Sequence, residues 1–189
     1  LMKGKKAISK RDSMQVNSRD MKIRVSYNRT LARPNFREVA PYAVEDFIRK
    51  MTLVGNPDLV LTDINNFDIR WELYPRTNEL LSVSGFYKQF NNPIGLFSNP
   101  VEGNEEFKWK NLEYSTVYGG EVEFKKRLDV LSRNLKNFTF GCNVTLVKSV
   151  TPIHTDELEK IHANDPYRKS TRPMAGQSPY LINSSLEYN

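Results

Sequence analysis

The stretch FDIRWEL at residues 67–73 alternates strictly between apolar and charged side chains. A period of two separates into two faces only in an extended strand, so this segment predicts a strand with one apolar and one ionic face. The PRTN that follows at residues 75–78 has turn chemistry, because Pro lacks an N–H for the ladder and Asn tolerates left-handed geometry. Residues 80–90, LLSVSGFYKQF, resume an extended run rich in aromatic and β-branched side chains. Residues 65–90 therefore predict a β-hairpin with arms of about ten residues, the length with which a tilted strand crosses a bilayer.

The composition favours a two-faced sheet over a helical core. Hydrophobic residues make up 39% of the 189 residues, which is below the about 45 to 50% of ordinary globular domains. The sequence contains no apolar run of the roughly 18 residues that a membrane helix needs, and residues 1–20 lack the apolar centre of a signal peptide. Because the chain starts at Leu1 without an initiator Met or an export signal, we expect a segment of a longer protein. The single Cys142 excludes an internal disulfide.

The formal net charge of +6 comes partly from basic residues near the start of the chain. No aromatic residues alternate with those bases, so we interpret them as a solvated loop and not as a nucleic-acid contact. The sequence therefore predicts no nucleic-acid partner.

Four further segments alternate apolar and polar side chains and raise the number of predicted strands to six; they are residues 21–30, 114–128, 137–149 and 180–188. Three long connections are expected at residues 31–64, 91–113 and 150–178, and two short turns at residues 75–78 and 129–136. The first long connection has room for a short helical turn around residues 35–39.

These connections alternate long, short, long, short, long. In an up-and-down meander every second connection lies at the same end of the sheet, so all three long loops emerge together. Outer-membrane barrels have this asymmetry, with short periplasmic turns and long extracellular loops, and they pair a polar interior with a lipid-facing apolar surface. Six strands are too few to close, because the smallest such barrels have about eight. We therefore expect the missing strands outside this stretch.

Five segments carry a family likeness: RVSYNRTLARPNFREVAPY (24–42), LVGNPDLVLTDINNFDIRWELYP (53–75), LSVSGFYKQFNNPI (81–94), YGGEVEFKKRLD (118–129) and RPMAGQSPYLINSSLEYN (172–189). They resemble the C-terminal half of the barrel in TonB-dependent outer-membrane receptors of the Bacteroidetes type, and the resemblance covers residues 22–189. It implies an all-β, antiparallel up-and-down transmembrane β-barrel of 22 strands, of which this chain holds about six.

The same resemblance implies an N-terminal plug, a TonB box reached by the energised TonB complex and, in many members, a carboxypeptidase-regulatory-like domain in front. It places the barrel in the outer membrane of a Gram-negative cell, in contact with lipid and lipopolysaccharide, and in one branch of the family a surface lipoprotein forms a lid. We assign residues 21–189 to the barrel domain, without the plug and the last strands, and leave residues 1–20 unassigned as a loop or turn.

Few residues suggest reaction chemistry. His154 and His162 lie near Asp156, Glu157 and Glu159, but a loop without helical or hairpin register does not set metal-ligand spacing, so we predict no metal site. The sequence has no Gly-rich phosphate loop and no arrangement that activates a nucleophile. We therefore predict no enzyme, no catalytic residue and no cofactor, and the ligand-binding residues stay unknown.

Two features have a binding and a packing interpretation. RPNFREVAPY at residues 33–42 fits a loop-packing role better than a binding element. Aromatic residues near predicted strand ends form either an interfacial girdle or ordinary cross-strand pairs; they are Trp71, Tyr74, Tyr114, Tyr118 and Tyr188.

Two classes of function remain open from the sequence. The first is an energy-coupled transporter whose barrel encloses a plug and whose long loops capture a scarce ligand. The second is a structural or adhesive barrel, or a soluble β-domain, that presents its loops to a partner. A plug with a TonB box in the parent protein would favour the first class.

Overall fold

A computed structural model describes residues 11–17, 20–46, 48, 51–101, 104–174 and 176–188. The strands in these ranges are β1 (Arg11–Asn17), β2 (Met21–Ala32), β3 (Ala43–Asp46), β4 (Met51–Val54), β5 (Thr62–Leu73), β6 (Leu80–Asn91), β7 (Ile94–Val101), β8 (Asn104–Asn111), β9 (Tyr114–Arg127), β10 (Phe138–Pro152), β11 (Thr171–Arg172) and β12 (Tyr180–Tyr188). The helices are α1 (Phe36–Val39) and α2 (Thr155–Asn164), and no helix in the described ranges is long and apolar enough to cross a membrane.

The main sheet is an antiparallel meander in the order β1-β2-β5-β6-β9-β10-β12, with the short β11 beside the far end of β10. Its last six strands are the six that alternation predicts, so that prediction is confirmed. Within the loop or turn predicted at residues 1–20, residues 11–17 instead form β1 and pair with residues 22–28, while residues 1–10 and 18–19 lie outside the described ranges. Only Met14 and Val16 supply apolar positions in β1, which is too few for a visible alternation.

The long connections all lie at one end of the main sheet, here called the loop end, and the short ones at the opposite turn end. At the turn end Asn78 has a φ of 64°, the left-handed geometry expected of the hairpin turn. The second short connection, predicted at residues 129–136, contains two single 3₁₀ turns, Leu128–Val130 and Arg133–Leu135. The predicted asymmetry of connection lengths is therefore confirmed.

The two faces of the main sheet differ in chemistry and in exposure. On the outer face, which carries the odd-numbered residues of β5, Ile69 is 55% and Phe67 is 49% exposed. On the inner face, which carries the even-numbered residues, Glu72 is 4% and Ser82 of the neighbouring strand is 1% exposed. Side chains converge on the concave side of a curved sheet, so we infer that the inner face is the concave one. The strand FDIRWEL thus directs its charges inward and its apolar residues outward.

Two connections predicted as long loops contain a second sheet, the loop sheet, in the order β3-β4-β8-β7. Strands β7 and β8 continue the β6–β9 ladder past Asn92, which has a φ of 54°, through hydrogen bonds from Asn92 N to Glu113 O and from Leu112 N to Pro93 O. Strand β4 from the first connection then pairs in parallel with β8 from the second. Pro100 and Gly95 interrupt any alternation in β7, so its sequence resembles a loop.

The buried apolar side chains lie mainly at the loop end and not along the strands of the main sheet. Phe97 of β7, Leu112 after β8 and Ile153 after β10 are each less than a tenth exposed. The ring of Phe97 meets the His154 ring edge-on at a centroid distance of 5.4 Å. This small core packs the loop sheet against the third long connection.

Candidate functional site

Charged side chains form a connected network on the inner face near the turn end. The Arg70 guanidinium lies 2.7 Å from Glu72 Oε1 and 2.7 Å from Glu123 Oε2, and Arg24 Nη2 lies 3.3 Å from Glu72 Oε2. We call Arg24, Arg70, Glu72 and Glu123 the inner-face network. Buried ionic groups are costly unless they are paired and hydrogen-bonded, and each carboxylate here has at least one guanidinium partner.

The strand between the charged positions makes this network fit. Arg70 of β5 and Glu123 of β9 flank β6, whose inner-face residues there are Ser82 and Ser84. Their small side chains leave room for the guanidinium to reach over β6, and the Ser82 hydroxyl lies 3.5 Å from Glu123 Oε2. The network is thus a product of strand register as well as of alternation.

Two contacts extend the polar surface toward the turn end. The Tyr74 hydroxyl donates a hydrogen bond of 2.9 Å to Glu72 Oε2. Burial is the main cause that raises the pKa of Tyr74 above its ordinary value, and this hydrogen bond is the second. Glu79, which is 1% exposed, pairs with Lys126 Nζ at 2.7 Å. The turn end therefore presents a rim of hydrogen-bonded and ion-paired side chains.

A cavity of about 670 Å³, the mouth cavity, opens at the loop end. Its walls are apolar side chains from the loop sheet and from the residues after β11, and its base holds two inner-face hydroxyls; the lining includes Ile94, Leu96, Trp109, Leu112, Ser115, Thr151, Arg172 and Met174. Ser115 donates a hydrogen bond of 2.9 Å to Thr151. A volume of several hundred Å³ with apolar walls and a few polar groups is typical of a small-molecule site.

The wall formed by residues 171–174 is held by a few polar contacts. Arg172 Nη1 lies 2.7 Å from Glu157 Oε1 on α2, and the Met174 N–H donates a hydrogen bond of 2.8 Å to the Ser149 hydroxyl. The second Glu157 oxygen is buried and has no hydrogen-bond partner among the described residues. Arg172 is 38% exposed, so its guanidinium offers a cation at the cavity edge.

Side-chain hydrogen bonds of two asparagines hold the opposite wall of the cavity in place. The Asn56 side chain donates to Trp109 O at 2.9 Å, while the Asn111 side chain donates to Val60 O and Asn92 O and accepts from Val60 N. These bonds tie the first long connection to β8 and fix the backbone that carries Trp109. The position of this cavity-lining indole therefore depends on both loops.

The segment RPNFREVAPY takes the packing role that the sequence favours. Asn35 caps α1 and forms a reciprocal capping box with Glu38. Asn56 N donates to Glu38 O at 2.6 Å, and a side chain at Gly55 would overlap the Ala40 carbonyl oxygen. The segment thus braces the loop sheet.

The residues considered for a metal site lie directly before and within α2, so the prediction of a loop without helical register is wrong. His154 packs on Phe97, His162 Nε2 lies 3.0 Å from Arg168 O, and Glu157 pairs with Arg172. No group of three or more His, Cys, Asp or Glu side chains that could hold a metal occurs within the described part of the chain.

The five candidate girdle aromatics are split between the faces. Tyr118 and Tyr188 lie on the outer face near opposite ends, with Tyr188 packed edge-on against Phe138 at 5.1 Å. Tyr114 is 45% exposed at the loop end, and Trp71 lies on the outer face between Ile23 and Val83, two residues from the turn end of β5. Tyr74 instead binds the inner-face network. Strand ends alone therefore do not identify a girdle.

Sequence reasoning missed the mouth cavity. Its lining comes from β7 to β11 and from residues next to them, and none of these segments carries a ligand motif. The only available signal was the position of Trp109 and Arg172 in long connections at the same predicted end of the sheet.

A family model described as TonB dependent receptor-like, beta-barrel matches residues 16–189. The chain is similar to the solved structure of the siderophore receptor PirA from Pseudomonas aeruginosa, with 17% identity, a TM-score of 0.64 and coverage of 94% of this chain and 30% of that one. It is also similar to the ferric enterobactin receptor PfeA from Pseudomonas aeruginosa, in its complex with BCV-L6, with 16% identity, a TM-score of 0.62 and coverage of 95% and 25%. No curated protein matches this chain. At these identities the structural likeness concerns the fold, and the chain spans under a third of either receptor.

Proposed function

Because the chain belongs to the TonB-dependent receptor β-barrel family, we propose that it forms part of the wall of an outer-membrane transporter. The transporter takes up a scarce ligand with energy from the TonB complex. The observation that carries this proposal is the meander of β2, β5, β6, β9, β10 and β12, which has an apolar outer face, an ionic inner face and all long connections at one end. These are the features of an outer-membrane barrel wall.

The inner-face network suits a barrel that encloses a plug. Its charges are paired within the wall, and Arg24 remains 48% exposed toward the interior. A plug that must move during transport gains from polar, exchangeable contacts, because apolar burial would hold it in place. We propose that Arg24 is a wall contact of the plug.

The mouth cavity suits ligand capture. Trp109 offers an aromatic surface and Arg172 a cation, so the cavity fits a ligand that combines a planar or apolar group with a negative charge. The names of the similar receptors refer to siderophores, but at this identity their ligands are not transferred to this chain.

The remaining partners are also proposals. The apolar outer face fits lipid and lipopolysaccharide, and the exposed Phe36, Tyr42 and Val44 on the loop sheet side offer a surface for a lipoprotein lid. Membership of the Bacteroidetes branch, which the sequence motifs indicate, stays a prediction.

Transport can be tested without knowing the ligand. Strains that lack this gene, or lack TonB, would be grown in limiting medium, and the medium would be analysed for compounds that only the wild type depletes. We expect both mutants to leave the same compound behind. Normal depletion by both, together with lost attachment to surfaces, would favour the adhesive barrel instead.

The role of the mouth cavity has its own test. Trp109→Leu should lower uptake of the compound identified above at limiting concentration, whereas Trp71→Leu on the outer face should leave uptake unchanged. Equal uptake by both variants and wild type, with normal barrel folding, would remove the cavity from the capture step.

A further inference from the structure

An apolar groove of about 600 Å³ crosses the outer face of the main sheet. We call it the outer-face groove; its side chains come from four neighbouring strands and include Val25, Tyr27, Phe67, Ile69, Gly85, Tyr87 and Tyr118. Neighbouring strands are about 4.8 Å apart, so the three spacings between these four strands give the groove a length of about 14 Å. The groove does not communicate with the inner-face network or the mouth cavity, because it opens on the opposite face.

Four aromatic residues form one wall of the groove. Tyr27 pairs with Phe67, Phe67 with Tyr87, and Tyr87 with Tyr118, so they form a single row across β2, β5, β6 and β9. The Tyr27 and Phe67 rings are 4.7 Å apart, and the Phe67 and Tyr87 rings are 6.5 Å apart. One step nearer the loop end the outer face becomes polar, with Arg29, Asn65, Gln89 and Thr116 in register. The aromatic row therefore lies at the boundary between apolar and polar surface, where membrane proteins place aromatic girdles.

Gly85 opens the groove beneath this row. A Cβ at Gly85 would meet its nearest atoms, Ile69 Cγ2 and Gly119 O, at 3.6 and 3.9 Å, which is ordinary contact, and the residue does not have a positive φ. Neither crowding nor backbone conformation thus requires glycine here, although glycine within a strand is less favourable than alanine. What glycine provides at this position is open space between Ile69 and Tyr87.

The aromatic row ends at a cation. Lys148 of β10 is directly opposite Tyr118 in the register and is exposed on the outer face. Leu146, two residues away on the same face, is opposite Gly120, which continues the row of Gly85. An exposed ammonium thus lies one strand from the apolar groove, at the polar boundary.

We propose that the outer-face groove binds one acyl chain of a phosphorylated glycolipid of the outer leaflet, with a phosphate of its head group on Lys148. The apolar walls match a hydrocarbon chain, the ammonium matches a phosphate, and the groove is continuous with the surface that lies against lipid. The proposal rests on the outer-membrane location and not on transport, so loss of either one leaves the other testable.

The test uses the full-length receptor, purified in mild detergent and stripped of lipid. Native mass spectrometry would measure the retention of added lipid A, of dephosphorylated lipid A and of phosphatidylglycerol. Gly85→Leu fills the groove, Gly85→Ala adds one carbon to it, and Val83→Leu adds the same single carbon to the outer face outside it. We expect retention of lipid A to fall about tenfold in Gly85→Leu, less in Gly85→Ala and not at all in Val83→Leu.

The charge is tested separately, since Lys148→Gln does not alter the groove. It should abolish the preference for lipid A over its dephosphorylated form, whereas Lys136→Gln in the turn after β9 should preserve that preference. Equal lipid A retention in the Gly85 and Val83 variants would contradict acyl-chain binding in the groove. An unchanged preference of Lys148→Gln for phosphorylated lipid A would contradict the contact between Lys148 and the head-group phosphate. Retention of phosphatidylglycerol as strong as that of lipid A would overturn the assignment to the glycolipid.

Discussion

Arg70 of β5 and Glu123 of β9 form an ion pair of 2.7 Å although β6 lies between their strands. The guanidinium also holds Glu72, which is almost completely buried. One side chain therefore links two carboxylates on two strands, so the loss of Arg70 affects more than one contact.

Arg70→Met should lower the free energy of unfolding by about 1 to 3 kcal/mol, because it leaves Glu72 buried with Arg24 as its remaining ionic partner. The measurement is the urea dependence of heat-modifiable migration of the full-length receptor. Arg29→Met is the matched control, since Arg29 is 58% exposed in its pair with Asp63 and should give no measurable change. Equal loss in both variants would show that the inner-face network has no special role.

Gly119→Ala should prevent normal folding. A Cβ at Gly119 would overlap the Leu146 carbonyl oxygen and lie 2.6 Å from Phe86 Cζ, and backbone of the neighbouring strand cannot move aside cheaply. Gly85→Ala is the control, because its Cβ has ordinary contacts and removing a strand glycine stabilises by about 0.5 to 1 kcal/mol. Folded yield in outer-membrane fractions measures both, and normal yield of Gly119→Ala would contradict the close approach of β9 to β10.

Ile69 distinguishes a lipid-facing strand from a packed core. Ile69→Arg should cost roughly 2 to 4 kcal/mol if the residue lies near the bilayer midplane, whereas Ile69→Trp should be tolerated because lipid adapts to shape. In a soluble sandwich Ile69→Trp would overpack the interior and cost about 1 to 3 kcal/mol. Heat-modifiable migration of the full-length receptor measures both changes. Normal folding of Ile69→Arg beside failure of Ile69→Trp would reverse the assignment of the faces.

The loop end should face the cell exterior and the turn end the periplasm. Tyr167, in the third long connection, is 96% exposed, so Tyr167→Cys should react with an impermeant thiol reagent on intact cells. Thr77→Cys at the turn end should react only after the outer membrane is opened. Both variants would be made in a Cys142→Ser background, and the Cys142→Ser protein alone measures labelling that does not come from the introduced cysteine. Reaction of Thr77→Cys alone on intact cells would invert the orientation.

Asn111→Asp should release the first long connection from β8. The carboxylate cannot donate to Val60 O and Asn92 O, although it can still accept from Val60 N. Limited proteolysis of the full-length receptor should then cut within residues 55–61 faster than in wild type. Asn134→Asp in the exposed turn is the control, and unchanged cutting in both would mean that the two loops are joined by strand pairing alone.

Alternation predicts those parts of this fold in which one face is apolar and the other polar. Residues 67–73 are the clearest case, and their strand, faces and hairpin are as predicted. The loop sheet escaped prediction because β7 contains Gly95 and Pro100 and has no two-sided pattern. The ion pair between Arg70 and Glu123 could not be predicted for another reason. It depends on the register of three strands and on the small Ser82 between the two charged residues.

The mouth cavity illustrates a further limit. Trp109 and Arg172 line the same cavity only because β8 folds back along β7 and the two-residue β11 lies beside β10. Neither event has a local signal. The outer-face groove had a partial signal in the sequence, because Gly85 lies among the apolar odd-numbered residues Leu81, Val83 and Tyr87 of β6.

The parallel pairing of β4 with β8 also has an evolutionary consequence. The two strands belong to different connections, and their paired residues are Thr52 with Glu106, Leu53 with Phe107 and Val54 with Lys108. An insertion or deletion on one side of this pairing would shift every partner and displace Trp109, so it must be matched by a change in the other connection. Among homologues the lengths of these two connections should therefore be inherited together, and new ligand specificities should arise by substitution within them more readily than by independent growth of either one.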